Sequence, residues 1–357
     1  MGNREIKDLE EKIFEGVPLD WDSALKLFEL PLPLLGELAQ RVRFKLHPER
    51  IVTYVVDRNI NYTNICISGC KFCAYYRAPN SPEGYVLSFE EIAKKIEETI
   101  ALGGYQILLQ GGLNPELTLD YFEELFSFIK SRFPQIHLHA LSPPEIIYLS
   151  KLHKISVDEV LERLIKAGLD SIPGGGAEIL VDRVREKISP NKCSSEEWLY
   201  VMERAHFLGL KTTSTMMFGH IETKEDILTH LFKIRALQEK TKGFTAFIPW
   251  TFQPKNTALS HIAKVGSAKY LQVLAISRIV LHNIPNIQVS WVTQGPKIAQ
   301  LALDFGGNDF GSTMIEENVV ASTGVSHRLS EEEIRKYIEE AGYIPKRRKM
   351  DYTLIEN

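Results

Sequence analysis

The stretch TYVVDRNINYTNICISGCKFC, residues 53–73, decides the fold, because a strand-like run ends there in a loop that carries three cysteines. Cys66, Cys70 and Cys73 are three of the 4 cysteines of the chain, and their spacing is CxxxCxxC. Three thiolates on one loop suit a [4Fe–4S] cluster with one open iron, since structural zinc sites and ordinary electron-transfer clusters use four protein ligands. At an open iron a small molecule can bind and react.

A zinc knuckle and a disulfide are the alternatives to a cluster for these cysteines. A zinc knuckle needs a fourth ligand, and the closest upstream histidine, His47, precedes the strand instead of lying in the loop. A disulfide is not favoured, because no signal peptide is recognised and few, clustered cysteines fit a reducing cytoplasm. Cys193, in a loop leading into a predicted helix, is interpreted as a partly buried thiol in preference to a remote fourth ligand.

The composition is that of an ordinary globular protein, with 44% hydrophobic and 25% charged residues among 357. The formal net charge of −4 gives no indication of a nucleic-acid-binding surface. No run of about eighteen apolar residues occurs, so no membrane span is expected. We therefore expect a cytoplasmic protein that binds neither nucleic acid nor membrane.

Strand-like and helix-like segments alternate from about residue 50 onward. Strands are predicted at 53–60, 105–110, 136–141, 169–172, 211–216, 245–250, 287–291 and 309–314, and helices at 88–101, 119–132, 157–167, 195–208, 224–239, 267–282 and 296–304. Ser88 with Glu91, and Ser194 with Glu197, have the spacing of capping boxes at helix starts.

Eight alternating strands over roughly 250 residues favour an α/β fold of the (β/α)8 TIM-barrel type. The alternative is an open doubly wound sheet, but no Gly-x-Gly-x-x-Gly turn follows the first strand. We expect residues 1–49 to form a helical extension packed on the barrel, residues 50–345 to form the barrel, and residues 346–357 to form a tail.

Polar and glycine-rich segments follow the predicted strands, at the carboxyl ends where barrel enzymes build their active sites. Gly111 and Gly112 allow close backbone approach, so that carbonyls can receive an ammonium group; a tight turn alone is the alternative. The glycines at 174–176, with Glu178 and Arg183 after them, suit ribose hydroxyls better than phosphate. Ser142, with Glu145 three residues later, is a further polar group, for which helix capping is the competing explanation.

Later strand ends combine aromatic and amide side chains, which fits an aromatic, hydroxyl-bearing ligand in a mainly apolar cavity. Taken singly, each of these residues is more often part of a core or an interface. His220 and Glu222 are candidates for proton exchange, although charge preferences at helix starts explain some acidic residues equally well. The predicted substrate contacts are Trp250, Gln253, Trp291, Gln294, Asp309, Glu317 and Asn318, with Glu316 as a further hydroxyl-binding candidate.

Several segments resemble the radical S-adenosylmethionine (radical SAM) superfamily and, within it, the cyclic dehypoxanthine futalosine synthases of the futalosine route to menaquinone. The resemblance extends from about residue 50 to 345. The cysteine motif points to the superfamily, while the Trp-Thr-Phe-Gln-Pro and Ser-Trp-Val-Thr-Gln segments point to the subgroup. Besides the cysteine loop, the segments that carry it are 57–64, 84–87, 110–115, 172–180, 216–220, 247–254 and 290–295.

The resemblance implies two cofactors, a [4Fe–4S] cluster on the three cysteines and S-adenosyl-L-methionine. Phe72 and Tyr75 are expected near the adenine, and Gly111 and Gly112 near the methionine amino group. Asn114 stands close to the position that is usually acidic in this loop. The implied partners are a nucleoside-like small-molecule substrate and an electron donor such as flavodoxin or ferredoxin.

The implied reaction removes hydrogen from ribose C4′, closes a new C–C bond onto a benzoate-type ring, and then releases a proton and an electron. His220 or Glu222 is the expected proton acceptor. The alternatives are a different radical SAM reaction, such as aminofutalosine synthesis, and a non-enzymatic iron–sulfur electron carrier. A zinc-stabilised barrel is a further alternative.

Overall fold

The computed structural model describes residues 2–325 and 327–355. Ten strands follow one another along the described chain: β1 (Ile51–Val55), β2 (Asp57–Asn61), β3 (Gln106–Gln110), β4 (His137–Ala140), β5 (Ser171–Ile172), β6 (Lys211–Phe218), β7 (Phe244–Thr251), β8 (Asn286–Ile287), β9 (Asp309–Ser312) and β10 (Ile344–Arg347).

Fourteen α-helices occur in the same residues, and the seven predicted within the barrel all begin and end within two residues of their predicted bounds. The helices are α1 (Asn3–Glu15), α2 (Trp21–Lys26), α3 (Leu32–Leu46), α4 (Phe89–Ala101), α5 (Leu119–Arg132), α6 (Pro143–His153), α7 (Val157–Ala167), α8 (Asp182–Ile188), α9 (Ser195–Phe207), α10 (Lys224–Thr241), α11 (Ser267–Val280), α12 (Trp291–Gln294), α13 (Pro296–Ala302) and α14 (Glu331–Glu340). Both predicted capping boxes are confirmed, at the starts of α4 and α9.

The strands close into a parallel barrel. Strands β2 to β8 pair in chain order, and β1 pairs in parallel with both β9 and β10. The ring closes between β8 and β9, where the Val289 N–H donates to the Asp309 carbonyl at 2.9 Å, and again beyond β9, where the Ile315 N–H donates to the Asp57 carbonyl at 3.2 Å. The predicted (β/α)8 fold is therefore confirmed, and the open doubly wound sheet is excluded.

Successive strand residues point to opposite faces of the sheet, which separates an outer core from the barrel interior. Ile60, Ile107 and Leu109 are fully buried in the apolar layer between strands and helices. Asp57 and Asn59 point the other way and line the interior. The interior of this barrel is therefore partly polar, and it contains a cavity lined by these polar side chains.

Helices α1 to α3 pack on the outside of the barrel, with α3 against α11 and α2 against α10. Arg43 of α3 is fully buried, and its guanidinium donates to the carbonyls of His47, Glu49 and Ile51 at 3.1, 3.0 and 2.9 Å. These bonds fasten the extension to the chain segment that enters β1.

The predicted strand at 287–291 is wrong beyond its first residue. Strand β8 ends at Ile287, and Trp291 begins the short helix α12. The Ser290 N–H donates to the Tyr270 hydroxyl at 2.7 Å instead of to a neighbouring strand, which ends the pairing. Helices α6, α8 and α14 and strand β10 were not predicted.

The C-terminal segment closes the amino end of the barrel. Strand β10 pairs with β1, and Arg348, Met350 and Tyr352 then line the floor of the interior. The Arg348 guanidinium binds the fully buried Asp309 carboxylate at 2.5 and 2.9 Å. Of the predicted tail, residues 356 and 357 lie outside the described residues. In the described part of the chain, no helix is long and apolar enough to cross a membrane.

Candidate active site

The three clustered cysteines lie on the loop after β2 and line a cavity of about 220 Å³ at the carboxyl ends of the strands. All three are free thiols. The Ser68 hydroxyl lies 2.8 Å from Cys66 Sγ and 3.3 Å from Cys70 Sγ, and the Leu113 N–H donates to Cys66 Sγ at 3.3 Å. Donors placed around sulfur stabilise the thiolate that binds metal.

Burial favours the protonated form of two of the three thiols. It raises the pKa of the Cys70 thiol to about 11 and also raises the pKa of the Cys73 thiol. The apoprotein therefore holds protons on these sulfurs at neutral pH, and metal binding must release them.

The cysteine loop rests directly on the glycines at the end of β3. A Cβ atom on Gly112 would lie 2.3 Å from the Ile65 carbonyl oxygen and 2.6 Å from Cys66 Cβ, and one on Gly111 would lie 2.5 Å from the Tyr62 ring. Only glycine allows so close an approach. The Gly111 N–H donates to the Glu145 carboxylate at 3.2 Å, which fixes this strand end.

Glu178 stands where the glycine segment at 174–176 meets α8. Its Oε1 accepts from Lys192 Nζ at 2.8 Å, while Oε2 has no hydrogen-bond partner among the described residues, with the Arg185 guanidinium 3.5 Å away. Lys192 Nζ also lies 5.1 Å from the centre of the Phe72 ring. Burial lowers the pKa of Lys192, but the charges of Cys70 and Glu178 raise it above its ordinary value.

A second cavity of about 300 Å³ occupies the barrel interior below the cysteine loop. We call it the interior cavity, and we call the cavity lined by the cysteines the upper cavity. Trp250, Trp291 and Ile248 give the interior cavity apolar walls, and the Trp291 indole N–H is held by the Ser312 carbonyl at 3.0 Å. The two cavities adjoin, because seven residues line both of them: Asn59, Gln110, Gly175, Gly176, Glu178, Trp250 and Val319. The two cavities therefore form one connected space.

Comparison with known proteins identifies the family. Residues 60–234 match the Radical SAM superfamily, and residues 241–357 match the CofH/MqnC C-terminal region. Over 351 residues, 98% of this chain and 95% of the relative, the sequence is 47% identical to a cyclic dehypoxanthine futalosine synthase from Halalkalibacterium halodurans. The chain belongs to the radical SAM superfamily.

Other relatives of this radical SAM enzyme carry two different names. A cyclic dehypoxanthine futalosine synthase from Streptomyces coelicolor is 42% identical over 98% of this chain and 88% of its own length. A 5-amino-6-(D-ribitylamino)uracil–L-tyrosine 4-hydroxyphenyl transferase from Methanosarcina acetivorans is 39% identical over 100% of this chain and 96% of its own length. Sequence similarity therefore establishes the superfamily more firmly than the substrate.

Solved structures agree with the radical SAM fold. Methylornithine synthase (PylB) superposes with a TM-score of 0.74 at 19% identity, covering 94% of this chain and 97% of its own. HydG, a maturase of the [FeFe]-hydrogenase, superposes with a TM-score of 0.76 at 16% identity, covering 97% of this chain and 77% of its own. At such identities the likeness concerns the fold alone.

Membership of the radical SAM superfamily implies a [4Fe–4S] cluster and S-adenosylmethionine, and the residues present fit both groups. Three thiols line one side of the upper cavity, and Gly111 and Gly112 line it beside them. The unpartnered Glu178 Oε2 is a buried acceptor for a ligand hydroxyl. Phe72 and Tyr75 line the same cavity and offer aromatic faces.

Several predicted site residues lie away from both cavities of the radical SAM enzyme. His220 and Glu222 contact each other, with Nδ1 and Oε2 3.1 Å apart, but neither lines a cavity. Arg183 is half-exposed and pairs with Asp226 of α10. Asn114 donates to Thr63 Oγ1 at 3.3 Å and lines neither of these two cavities.

The predicted substrate contacts divide into three groups. Trp250, Trp291 and Glu317 line the interior cavity. Gln253 and Gln294 instead donate to Thr251 Oγ1 at 3.0 and 2.6 Å, outside the lining. Two residues remain: Asp309 lies at the amino end of β9, bound to Arg348, and Asn318 donates to Asn61 Oδ1 at 3.2 Å beside the upper cavity.

The sequence analysis assigned no role to several cavity residues that lie within strands and in the loop after α8. Gln106, Gln110 and His139 line the interior from β3 and β4, and Lys192 lines the upper cavity. Polar residues at every second position, as at 57, 59 and 61, were the signal that these strands have a polar inner face. No local pattern marks Lys192, which is placed by tertiary contact.

Proposed function

We propose that this radical SAM enzyme converts dehypoxanthine futalosine to cyclic dehypoxanthine futalosine in menaquinone biosynthesis. The observation that carries the proposal is the junction of the two cavities, where a radical source at the cysteines faces a tryptophan-lined chamber across shared walls. The names of the relatives from Halalkalibacterium halodurans and Streptomyces coelicolor support the same substrate.

Residues around the upper cavity would hold the cofactors. Cys66, Cys70 and Cys73 would hold the cluster, the carbonyls near Gly111 would receive the methionine amino group, and Glu178 Oε2 would accept from a ribose hydroxyl. When bound and reduced, these cofactors supply a 5′-deoxyadenosyl radical. The reductant would be a small electron carrier such as flavodoxin or ferredoxin.

Residues around the interior cavity would hold the substrate. The planes of Trp250 and Trp291 suit its aromatic ring, and the polar groups of Asn59 and Gln110 lie at the junction where a sugar would face the upper cavity. With the substrate held between these walls, a carbon radical at ribose C4′ would lie close to the ring of the same molecule. The new C–C bond forms while one proton and one electron leave, which restores the aromatic ring.

The test is product mass after anaerobic reconstitution. The wild-type enzyme with S-adenosylmethionine, dithionite and dehypoxanthine futalosine should give 5′-deoxyadenosine and a product two hydrogens lighter than the substrate. Cys70→Ala should give neither, because it removes a cluster ligand. Cys193→Ala is the matched control, since Cys193 lines neither cavity, and it should behave as the wild type. Deoxyadenosine without cyclised product from the wild type would refute the substrate.

The transferase reaction named for the Methanosarcina relative is the second candidate, because 39% identity spans the whole chain. The same reconstituted enzyme would be given L-tyrosine and 5-amino-6-(D-ribitylamino)uracil. Formation of the coupled product, with no cyclisation of dehypoxanthine futalosine, would favour this candidate. We expect the reverse result.

A further inference from the structure

Two histidines and a serine form a continuous hydrogen-bonded chain inside the barrel wall. His139 Nδ1 lies 2.7 Å from Ser171 Oγ, and Ser171 Oγ lies 2.7 Å from His137 Nε2. Strands β4 and β5 bring these side chains together, because His139 and Ser171 are paired in register. Each distance is that of a good hydrogen bond, so the three groups can exchange protons.

The inner end of this chain opens on the interior cavity. His139 lines the cavity, and its Nε2 has no hydrogen-bond partner among the described residues. Burial, together with the nearby charges of His137 and Arg348, lowers the pKa of His139, so the ring is neutral and one nitrogen keeps a lone pair. With Ser171 engaged by Nδ1, that lone pair is on Nε2 when the proton sits on Nδ1.

The outer end of the chain reaches the amino-end rim of the barrel. His137 is the first residue of β4 and is only half-buried, whereas Ser171 is fully buried. Burial lowers the pKa of His137, and the nearby Asp170 carboxylate opposes that effect only in part, so this ring passes a proton on to solvent instead of keeping it. The chain therefore connects the interior cavity with the rim opposite the cysteine loop.

The other carboxylates at the cavity already accept hydrogen bonds, although Glu178 Oε2 and the Tyr352 hydroxyl have no hydrogen-bond partner among the described residues. The Asp57 carboxylate accepts from Gln106 at 2.8 Å and also from Ser312. Glu178 is paired with Lys192, and the Glu317 carboxylate accepts the N–H groups of its own loop. His139 combines an unengaged ring nitrogen with a hydrogen-bonded route away from the cavity.

We propose that His139, Ser171 and His137 form a relay that carries the proton released by the reaction out of the barrel cavity. The proposal rests on the proposed function, since ring closure onto an aromatic carbon must release one proton into the interior cavity. The cluster that Cys66, Cys70 and Cys73 would hold would supply the acceptor for the one electron that is released with the proton.

The proton transfers balance along the chain. His139 Nε2 takes the proton from the ring carbon, and Nδ1 gives its own proton to Ser171 Oγ. The serine hydroxyl gives its proton to His137 Nε2, and His137 Nδ1 releases one to solvent. One proton enters and one leaves, and the aromatic ring keeps the electron pair of the broken C–H bond once the electron has departed.

The test separates radical formation from proton loss. Full-length, reconstituted His139→Gln, Ser171→Ala and His137→Gln are compared with the wild type for 5′-deoxyadenosine and cyclised product. Since hydrogen abstraction precedes proton loss, deoxyadenosine should still form, while product per deoxyadenosine should fall at least about tenfold for the first two variants. The fall should be smaller for His137→Gln, because water can replace a half-buried group.

His206→Gln is the matched control. His206 is also bonded to two hydroxyls, Thr241 Oγ1 and Thr212 Oγ1 at 2.6 and 2.7 Å, but it lines neither cavity. Its product ratio should equal that of the wild type, even if its thermal stability falls. A wild-type ratio in Ser171→Ala would overturn the relay, because this substitution removes the hydroxyl that links His139 to His137.

A substrate-free measurement distinguishes failure of the relay from failure of the proposed function. Long-range ¹⁵N–¹H spectra of the histidine-labelled holoenzyme should show the proton of His139 on Nδ1, and Ser171→Ala should change the signals of both His137 and His139. A proton on Nε2 of His139 would overturn the relay, whatever product the enzyme makes. A wild type that forms no cyclised product, with the expected His139 tautomer, would overturn only the proposed function.

Discussion

Replacing Gly112 with alanine tests whether the glycines of β3 hold the cysteine loop in position. The new Cβ atom would lie 2.3 Å from the Ile65 carbonyl oxygen and 2.6 Å from Cys66 Cβ, where ordinary contact begins at 3.4 Å. The loop would have to move by about 1 Å, and overpacking of this kind costs about 1–3 kcal/mol.

A shift of that size matters more to the metal than to the fold. Metal–ligand distances tolerate changes of only about 0.2 Å, so a displaced Cys66 leaves bonding range. Loss of correct ligand placement lowers metal affinity on the order of 10–100-fold. We therefore expect Gly112→Ala to fold with reduced thermal stability and to retain much less iron and sulfide than the wild type after anaerobic reconstitution and desalting.

Gly266→Ala is the control for this experiment. A Cβ atom on Gly266 has no neighbour within 4 Å, and its φ of −77° suits any residue. That variant should hold wild-type iron and bind S-adenosylmethionine normally. Wild-type iron content in Gly112→Ala would refute the reasoning, since the loop would then be free to adjust without losing the ligand geometry.

Three further substitutions probe the upper cavity, the interior cavity and the barrel floor. Lys192→Met should raise the Kd for S-adenosylmethionine at least about tenfold, because Glu178 loses a charged hydrogen bond of about 1.5–3 kcal/mol that orients it; equilibrium binding measures this. Trp250→Ala should weaken substrate binding about tenfold or more while deoxyadenosine still forms, because a shared aromatic wall is lost. Arg348→Met should lower the free energy of unfolding by about 3–5 kcal/mol, because the buried Asp309 carboxylate loses its cation; denaturant unfolding measures this.

Each of these results has a contrary outcome. Lys192→Arg keeps the positive charge and should recover most of the affinity for S-adenosylmethionine, so equal losses in both variants would argue against the electrostatic role. Unchanged substrate affinity in Trp250→Ala would place the substrate elsewhere. A double variant, Arg348→Met with Asp309→Asn, should recover part of the stability, and no recovery would contradict the buried ion pair as the cause.

The sequence predicts the barrel and the cysteine site well, because both depend on patterns of residues that are close together in the chain. Alternating apolar strands and capped helices define the architecture, and the three thiols with Gly111 and Gly112 occupy neighbouring strand ends. The carboxyl ends of the strands meet at one face of a barrel, so the sequence position of a strand-end motif is enough to place it in the active site.

Residues that depend on side-chain direction were less predictable. Arg183 and Arg185 lie on one short helix, and only the tertiary packing shows that Arg185 turns towards Glu178 while Arg183 turns outward to Asp226. Asp309 begins its strand, so it lies at the floor of the barrel and not at its mouth. His220 and Glu222 are placed by a loop whose contacts the sequence does not reveal, and their position lends no support to a role as proton acceptors.

Polar side chains inside strands were missed for a different reason. Strand β3 carries an apolar run, yet the inner faces of β2, β3 and β4 present Asp57, Gln106 and His139 to the cavity. A strand between a ligand chamber and a helix layer alternates in polarity, whereas a strand in a solid core does not. The relay from His139 follows from this inner face, which becomes visible only when the register of β4 and β5 is known.

The transfer of hydrogen from the substrate tests the central claim most directly, namely that a radical formed at the cysteines reacts with a nucleoside ribose in the adjoining chamber. The reconstituted enzyme would be given dehypoxanthine futalosine deuterated at C4′, and the deuterium content of the 5′-deoxyadenosine would be measured by mass spectrometry. We predict one deuterium in the deoxyadenosine and a cyclised product that lacks it. Deoxyadenosine without deuterium, or deuterium retained in the cyclised product, would contradict the account.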